Sequence, residues 1–270
     1  MTRENIINAL ANKGFNAEAT TTIKNGVALE GITIRNESNT APIIYTESII
    51  ESAEQNGTSL DGVVNQIISI YESHKGESFN IECLSDPAFI LKNIYIGIQK
   101  NSTEEIEKKP TEYDGIEQYL YIRLTNEATT KARAALLDRA GVDTAEAWKA
   151  AEQNTNGETT TTSMMKIMFE HMGMPYDESM DDGTMYVVSN ENKIKGASAI
   201  LNKKNLEEIA HRFHSDKIVI LPSSIHECIV VPYTEEMDID EFCDMVRTVN
   251  AEQVDPTEQL TDRAYIVNVA

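Results

Sequence analysis

Apolar positions recur along the chain at two periods, and the switches between them mark where one kind of element gives way to another. Ile6, Ile7 and Leu10 share one side of a helical repeat, which predicts a short helix within residues 2–13 that stops at Gly14. TTTIKNGVALEGITIRN then turns to alternation, with Val27 and Leu29 on one side of Gly31 and Ile32 and Ile34 on the other. Asn25-Gly26 tolerates the positive φ angles of a two-residue hairpin turn, and the change of phase at Gly31 predicts a bulge. PIIYTESIIESAEQNG and TSLDGVVNQIISIYESHKG return to helical spacing. Thr46 caps the first, Thr58 or Ser59 the second, and Gly57 and Gly76 end them. The second helix is expected to bury Leu60, Val63, Val64, Ile67, Ile68 and Tyr71.

DPAFILKNIYIGIQKN satisfies either period, whereas IEQYLYIRLT reads as a strand from its aromatic and β-branched content. NEATTKARAALLDRAG and DTAEAWKAAEQNTNG read as helices, with Gly141 ending the first and Asp143 or Thr144 capping the second. The polar run NTNGETTTTS, residues 154–163, reads as a linker, so the chain is divided into α+β regions at 1–158 and 159–270. MMKIMFEHMGM follows as a helix whose methionines are expected to fill core, in preference to a soft-metal or target-binding surface. The remainder alternates as TMYVVS and GASAIL strands, a KKNLEEIAHRFH helix, KIVIL and ECIVVPY strands, a DIDEFCDMVRTVNAEQV helix and a closing RAYIVNV strand. That order predicts an α+β fold with mostly antiparallel sheets and helices packed on one face.

A chain of 270 residues can bury roughly 70% of its unfolded surface, so no disulfide staple is required. Cys83, Cys228 and Cys243 form an odd set without CxxC spacing, and the first residues lack a signal-peptide core, which together predict a reducing cytoplasm. No apolar run approaches the roughly 20 residues that span a bilayer. The net charge of −21 repels nucleic acid and anionic lipid and suits a basic protein partner or mimicry of nucleic acid. From residue 225 onward eleven acids face only Arg247 and Arg263, so a basic partner is expected at that end.

Candidate chemistry concentrates in ILPSSIHECIVVP, residues 220–232. Ser224, His226 and Glu227 supply the residue types of a nucleophile, a base and its orienting acid, which makes a hydrolase the alternative to a binding protein. In an extended strand, however, Ser224 and His226 share one face and Glu227 takes the other, and no GxSxG elbow is present. The structural reading has Ser223 and Ser224 bonding local backbone after Pro222. HRFH places His211 and His214 on one helix end, where His226 could complete a three-histidine zinc site. Asp177, Ser179 and Asp181 alternate before Gly183, but that glycine falls late for a calcium loop and Val188 stands where a bidentate glutamate belongs. No phosphate-binding glycine motif occurs, so no cofactor is expected. Trp148 reads as a core or interface anchor.

YVVSNENKIKGASAIL, ILPSSIHECIVVP and FCDMVRTVNAEQVDPTEQLTDRAY, with KNGVALEGITIRNESNTAPIIY and EAWKAAEQNT upstream, resemble a bacterial family of unknown function found in Gram-positive anaerobes and often among mobile-element genes. The resemblance covers most of the chain. It implies a bacterial cytoplasmic setting and an accessory or regulatory role, and it supplies no catalytic residue.

Overall fold

The structure, a computed structural model, describes residues 1–35, 43–74, 81–125, 128–181 and 183–269, and within it the chain forms two compact units, 1–81 and 82–270. In the first, α1 (Arg3–Asn12), α2 (Glu47–Asn56) and α3 (Leu60–His74) accompany an antiparallel sheet of β1 (Ala17–Lys24), β2 (Val27–Ile34) and β3 (Ile43–Tyr45). Thr2 and Asn5 close a reciprocal capping box on α1. Asn25 at φ 50° and Gly26 at φ 80° make the β1–β2 turn as expected. The pairing then runs without a slip from Lys24↔Val27 to Ala17↔Ile34, so Gly31 is not a bulge. It is glycine because β3 crosses close by: a Cβ there would stand 2.6 Å from Ile43 Cγ2 and 2.9 Å from the Ile44 carbonyl oxygen. On α3, Val63, Val64, Ile67 and Tyr71 are buried against Ile6, Leu10, Ile32 and Ile34, while Leu60 is exposed and Ile68 half-buried. The expected stop at Gly76 lies outside the described residues.

The second unit opens with α4 (Pro87–Asn93) and β4 (Ile94–Lys100), so DPAFILKNIYIGIQKN is helix and strand in succession. Asp86 fixes the helix start by accepting the Ala88 N–H, with Pro87 at the first helical position. β4 pairs with β6 (Ile116–Arg123), which is flanked by the short strands β5 (Lys108–Pro110) and β7 (Thr129–Lys131). Ile94, Ile96, Leu120 and Ile122 line one face of this sheet against α4, α5 (Ala134–Ala140) and α6 (Thr144–Gly157).

Residues 154–163, expected as a linker, are the last turn of α6 and a strand, β8 (Thr159–Ser163). β8 pairs residue for residue with β9 (Tyr186–Asn190), and this polar stretch is therefore an edge strand inside the second unit. The two compact units divide at 81/82, and residues 154–163 lie inside the second. After α7 (Met164–His171) and β9, the buried stretch GASAIL is a 3₁₀ turn, Gly196–Leu201, and not a strand. α8 (Lys203–Phe213), β10 (Lys217–Pro222), β11 (Cys228–Pro232), α9 (Ile239–Gln253) and β12 (Tyr265–Asn268) complete the unit. Its larger sheet has the order β12-β10-β11-β9-β8, and every described strand pairing in the protein is antiparallel. The α+β class with antiparallel sheets holds, and the five-stranded sheet adds a second helical layer. Ile218, Ile220, Cys228 and Val230 pack toward α8, while Val219, Leu221 and Val231 pack toward α9. No described helix is long and apolar enough to cross a membrane.

The two neighbouring isoleucines of α3 separate cleanly in consequence. Ile67→Ala should cost about 2 to 5 kcal/mol because its side chain is fully buried, and the half-buried Ile68 should cost distinctly less. Urea unfolding of the two variants checks the order.

Candidate functional site

Residues 223–227, expected to enter a strand, are the loop of the β10–β11 hairpin, whose last pair is Pro222↔Cys228. Face alternation therefore does not govern Ser224, His226 and Glu227. Ser224 Oγ accepts the main-chain N–H of His226 at 3.0 Å, and the Ser224 N–H donates to the Glu227 carbonyl at 3.1 Å. The His226 ring is engaged elsewhere: Nδ1 accepts the main-chain N–H of Lys195 at 3.2 Å, and Nε2 stands 3.4 Å from Glu258 Oε1. An accepting Nδ1 places the ring proton of neutral His226 on Nε2, facing Glu258. The carboxylate beside the histidine is thus Glu258 and not Glu227, and Ser224 is not held against the ring. No sequence signal marks Glu258, because it reaches the loop through a main-chain bond from Ile225 to its carbonyl, 33 residues downstream in the chain.

The histidine triad is not assembled either. His211 is exposed on α8, and His214 ends that helix in the left-handed conformation at φ 52°, its N–H returned to the last turn. Among the described residues no group of three or more His, Cys, Asp or Glu is placed to hold a metal ion.

His226 instead fixes a close packing of backbones. Lys195 is left-handed at φ 56°, and a Cβ on Gly196 would meet Ser189 Oγ at 2.3 Å, the Asn190 nitrogen at 2.5 Å and the His226 carbonyl oxygen at 2.8 Å. Ser189 Oγ donates to that carbonyl, and Asn190 brackets the loop by binding both the N–H and the C=O of Ile194. The result carries the Lys195 ammonium to 3.4 Å from the Tyr119 hydroxyl and within 6.0 Å of the Tyr119 and Tyr121 rings.

Those tyrosines belong to the helix-free face of the β4–β6 sheet. Register sets Tyr95 opposite Tyr121, Gly97 opposite Tyr119 and Gln99 opposite Glu117. Gly97 is needed because a Cβ there would lie 2.7 Å from the Tyr119 ring. Around the rings three cations have acids: Arg123 binds Glu158 through both nitrogens at 3.0 and 2.9 Å, Lys131 binds Glu104 at 2.7 Å, and Lys108 lies 3.3 Å from Glu117. Tyr95 donates to Glu158 at 2.6 Å. Burial pushes the Tyr95 and Tyr121 phenols up to about 12 and raises Tyr119 as well, so all three stay protonated at neutral pH. Burial alone would raise Glu158, but hydrogen bonds from Arg123 and Tyr95 hold its carboxyl below the ordinary range. This face is a polar seam of tyrosines and ion pairs.

An open site lies at α7. No residue of this helix is buried, and Met168, Met172 and Met174 are 51%, 56% and 49% exposed, which overturns their reading as core; Met180 beyond them is 47% exposed. The helix packs chiefly beside β8, and Met164, Met168 and Met172 stand four apart along it. A cleft of about 790 Å³ adjoins it, lined by Met174, Tyr176, Tyr186, four acids (Glu170, Asp177, Glu178 and Asp181) and two cations. Those cations are engaged: Lys166 lies 4.0 Å from Glu170, and Arg212 stacks 5.5 Å from the Tyr186 ring. Asp181 is fixed as an acceptor from Ser163, Gly183 and Tyr186, and although burial opposes it, those bonds keep its carboxyl below the usual value. Asp177 caps a 3₁₀ turn at Glu178–Met180, and Asp182 lies outside the described residues.

Taken together, fold and site define an α+β protein with three antiparallel sheets, a tyrosine seam and an open acidic cleft. The chain belongs to a family of unknown function (DUF5688), whose model matches residues 2–268. Neither curated proteins nor solved structures give a match to it.

Two outcomes are expected of the seam. Gly196→Ala should destabilise by about 1 to 3 kcal/mol, since two backbone atoms as well as the Ser189 hydroxyl block the added methyl. Glu158→Gln should cost a similar amount at pH 7, about 1 to 3 kcal/mol, by removing a charged hydrogen-bond acceptor. The folded Glu158 carboxyl is lowered, so its stabilisation is complete above the unfolded value of about 4.3 and fades as pH falls through the lower folded one. The difference between wild type and Glu158→Gln should therefore shrink on acidification, which denaturant melts at a series of pH values will read.

Proposed function

We propose that this protein is a non-enzymatic binding module, an accessory or regulatory protein of a bacterial cytoplasm, that holds a basic amphipathic segment of a partner protein in the acidic cleft beside α7. The observation that carries the reading is the exposure of four methionines next to that cleft. Flexible, polarizable methionines repack around varied apolar side chains, and the acids among them select lysine- and arginine-bearing segments. Asp238, which caps α9, and Asp240, Glu241, Asp244 and Glu252 on it, all exposed, add to the negative potential that would draw a basic partner. The reading also accords with Ser224 and His226 being engaged by backbone and by Glu258.

A synthetic helical peptide with lysines on one face and leucines on the other tests it, with binding read by fluorescence anisotropy. General attraction to a chain of charge −21 is separated from cleft binding by the triple variant Met168→Ser, Met172→Ser, Met174→Ser, which leaves every charge in place. The variant should bind at least about tenfold more weakly, about 1.4 kcal/mol, with unchanged circular dichroism. Equal affinity for both proteins would refute the assignment.

A further inference from the structure

A second cleft, of about 500 Å³, lies where β5, α6 and the start of α8 meet, and it shares no lining residue with the methionine cleft. Its size falls in the range of small-molecule sites. Its charge runs against that of the chain: Lys109, Lys149 and Lys203 line it with only Glu112 and Glu152, whereas the whole protein carries −21. Three separate elements contribute the lysines, so sequence proximity does not explain their convergence. α8 also begins there, with Leu201 and Lys203 on the wall, and its first N–H groups add partial positive charge. Trp148 is part of its wall, with the Lys109 ammonium 4.1 Å from the ring centroid. Lys203 stands 3.9 Å from Glu112, a contact between exposed side chains that an incoming anion can displace at little cost.

We propose that this cleft binds a small polyanion, a compound with two or more phosphate or carboxylate groups, held by Lys109, Lys149 and Lys203 beside Trp148. Lysines reach such groups as mobile point charges, and a dianion bridges two of them where a chloride ion satisfies one. Binding draws Lys109 away from the indole and so alters the surroundings of the ring.

Trp148 is the chain's single tryptophan, which makes its emission a reporter of this cleft alone. The full chain is titrated with inorganic pyrophosphate and, separately, with citrate, each against sodium chloride at matched ionic strength, and calorimetry on the same samples registers binding that leaves the emission unchanged. The expected result is saturable binding absent from the chloride control and weakened about tenfold or more in Lys109→Gln/Lys203→Gln. A response to pyrophosphate alone assigns phosphate, to citrate alone carboxylate, and to both a site that reads charge. Absence of saturable binding by either method, or equal binding by wild type and variant, overturns the proposal.

Discussion

The carboxylate of Glu158 is the contact on which the 82–270 unit depends. It follows α6 directly, so its own N–H returns to the helix at Asn154 and Thr155, while its carbonyl accepts the Glu191 N–H beyond β9. Its side chain meanwhile takes Arg123 and Tyr95 from the neighbouring sheet. One residue thus joins the helix, the four-stranded sheet and the edge of the five-stranded sheet. Such a pair adds little net stability over well-packed apolar groups, but neither half can be removed without leaving a poorly solvated charge.

The same reasoning explains why one face of the β4–β6 sheet is aromatic and charged. Helices already cover the opposite face, and the loops that cover this one bring backbone with them, which demands hydrogen-bonding partners. Tyrosines meet that demand with broad apolar rings and protonated hydroxyls, and lysines supply the remaining donors. Two glycines let the layers close: Gly97 admits the Tyr119 ring, and Gly196 admits the β10–β11 loop. The conspicuous histidine of the sequence has its part here, as the acceptor that holds Lys195 in a left-handed turn.

Elements whose signal is local were legible in the sequence. The Asn25-Gly26 hairpin, the buried face of α3 and the Asp143 cap of α6, which accepts from Ala145 and Glu146, needed only neighbours to specify them. What could not be read there depended on distant backbone. Gly31 and Gly196 looked like a bulge and part of a strand because the chains that crowd them come from β3 and from residues 189–190 and 226. β8 was read as a linker because four threonines and a serine carry no alternation, and only pairing with β9 makes them a strand. At the expected active site the partners of His226 were not legible, since Lys195 and Glu258 approach it from separate loops.

The methionines of α7 show the limit from the other side. Their spacing is that of a buried helix face, and periodicity alone cannot say whether the facing layer belongs to the same chain. The five-stranded sheet has two helical layers already, α8 on one face and α9 on the other, so α7 lies at its β8 edge with no third layer to enter. Exposed apolar groups in such a position are costly unless something covers them in the working state. Several lysines and arginines of the second unit are engaged elsewhere, in the tyrosine seam and around Trp148. Around α7 four acids outnumber Lys166 and Arg212, so the net charge beside the exposed methionines is negative.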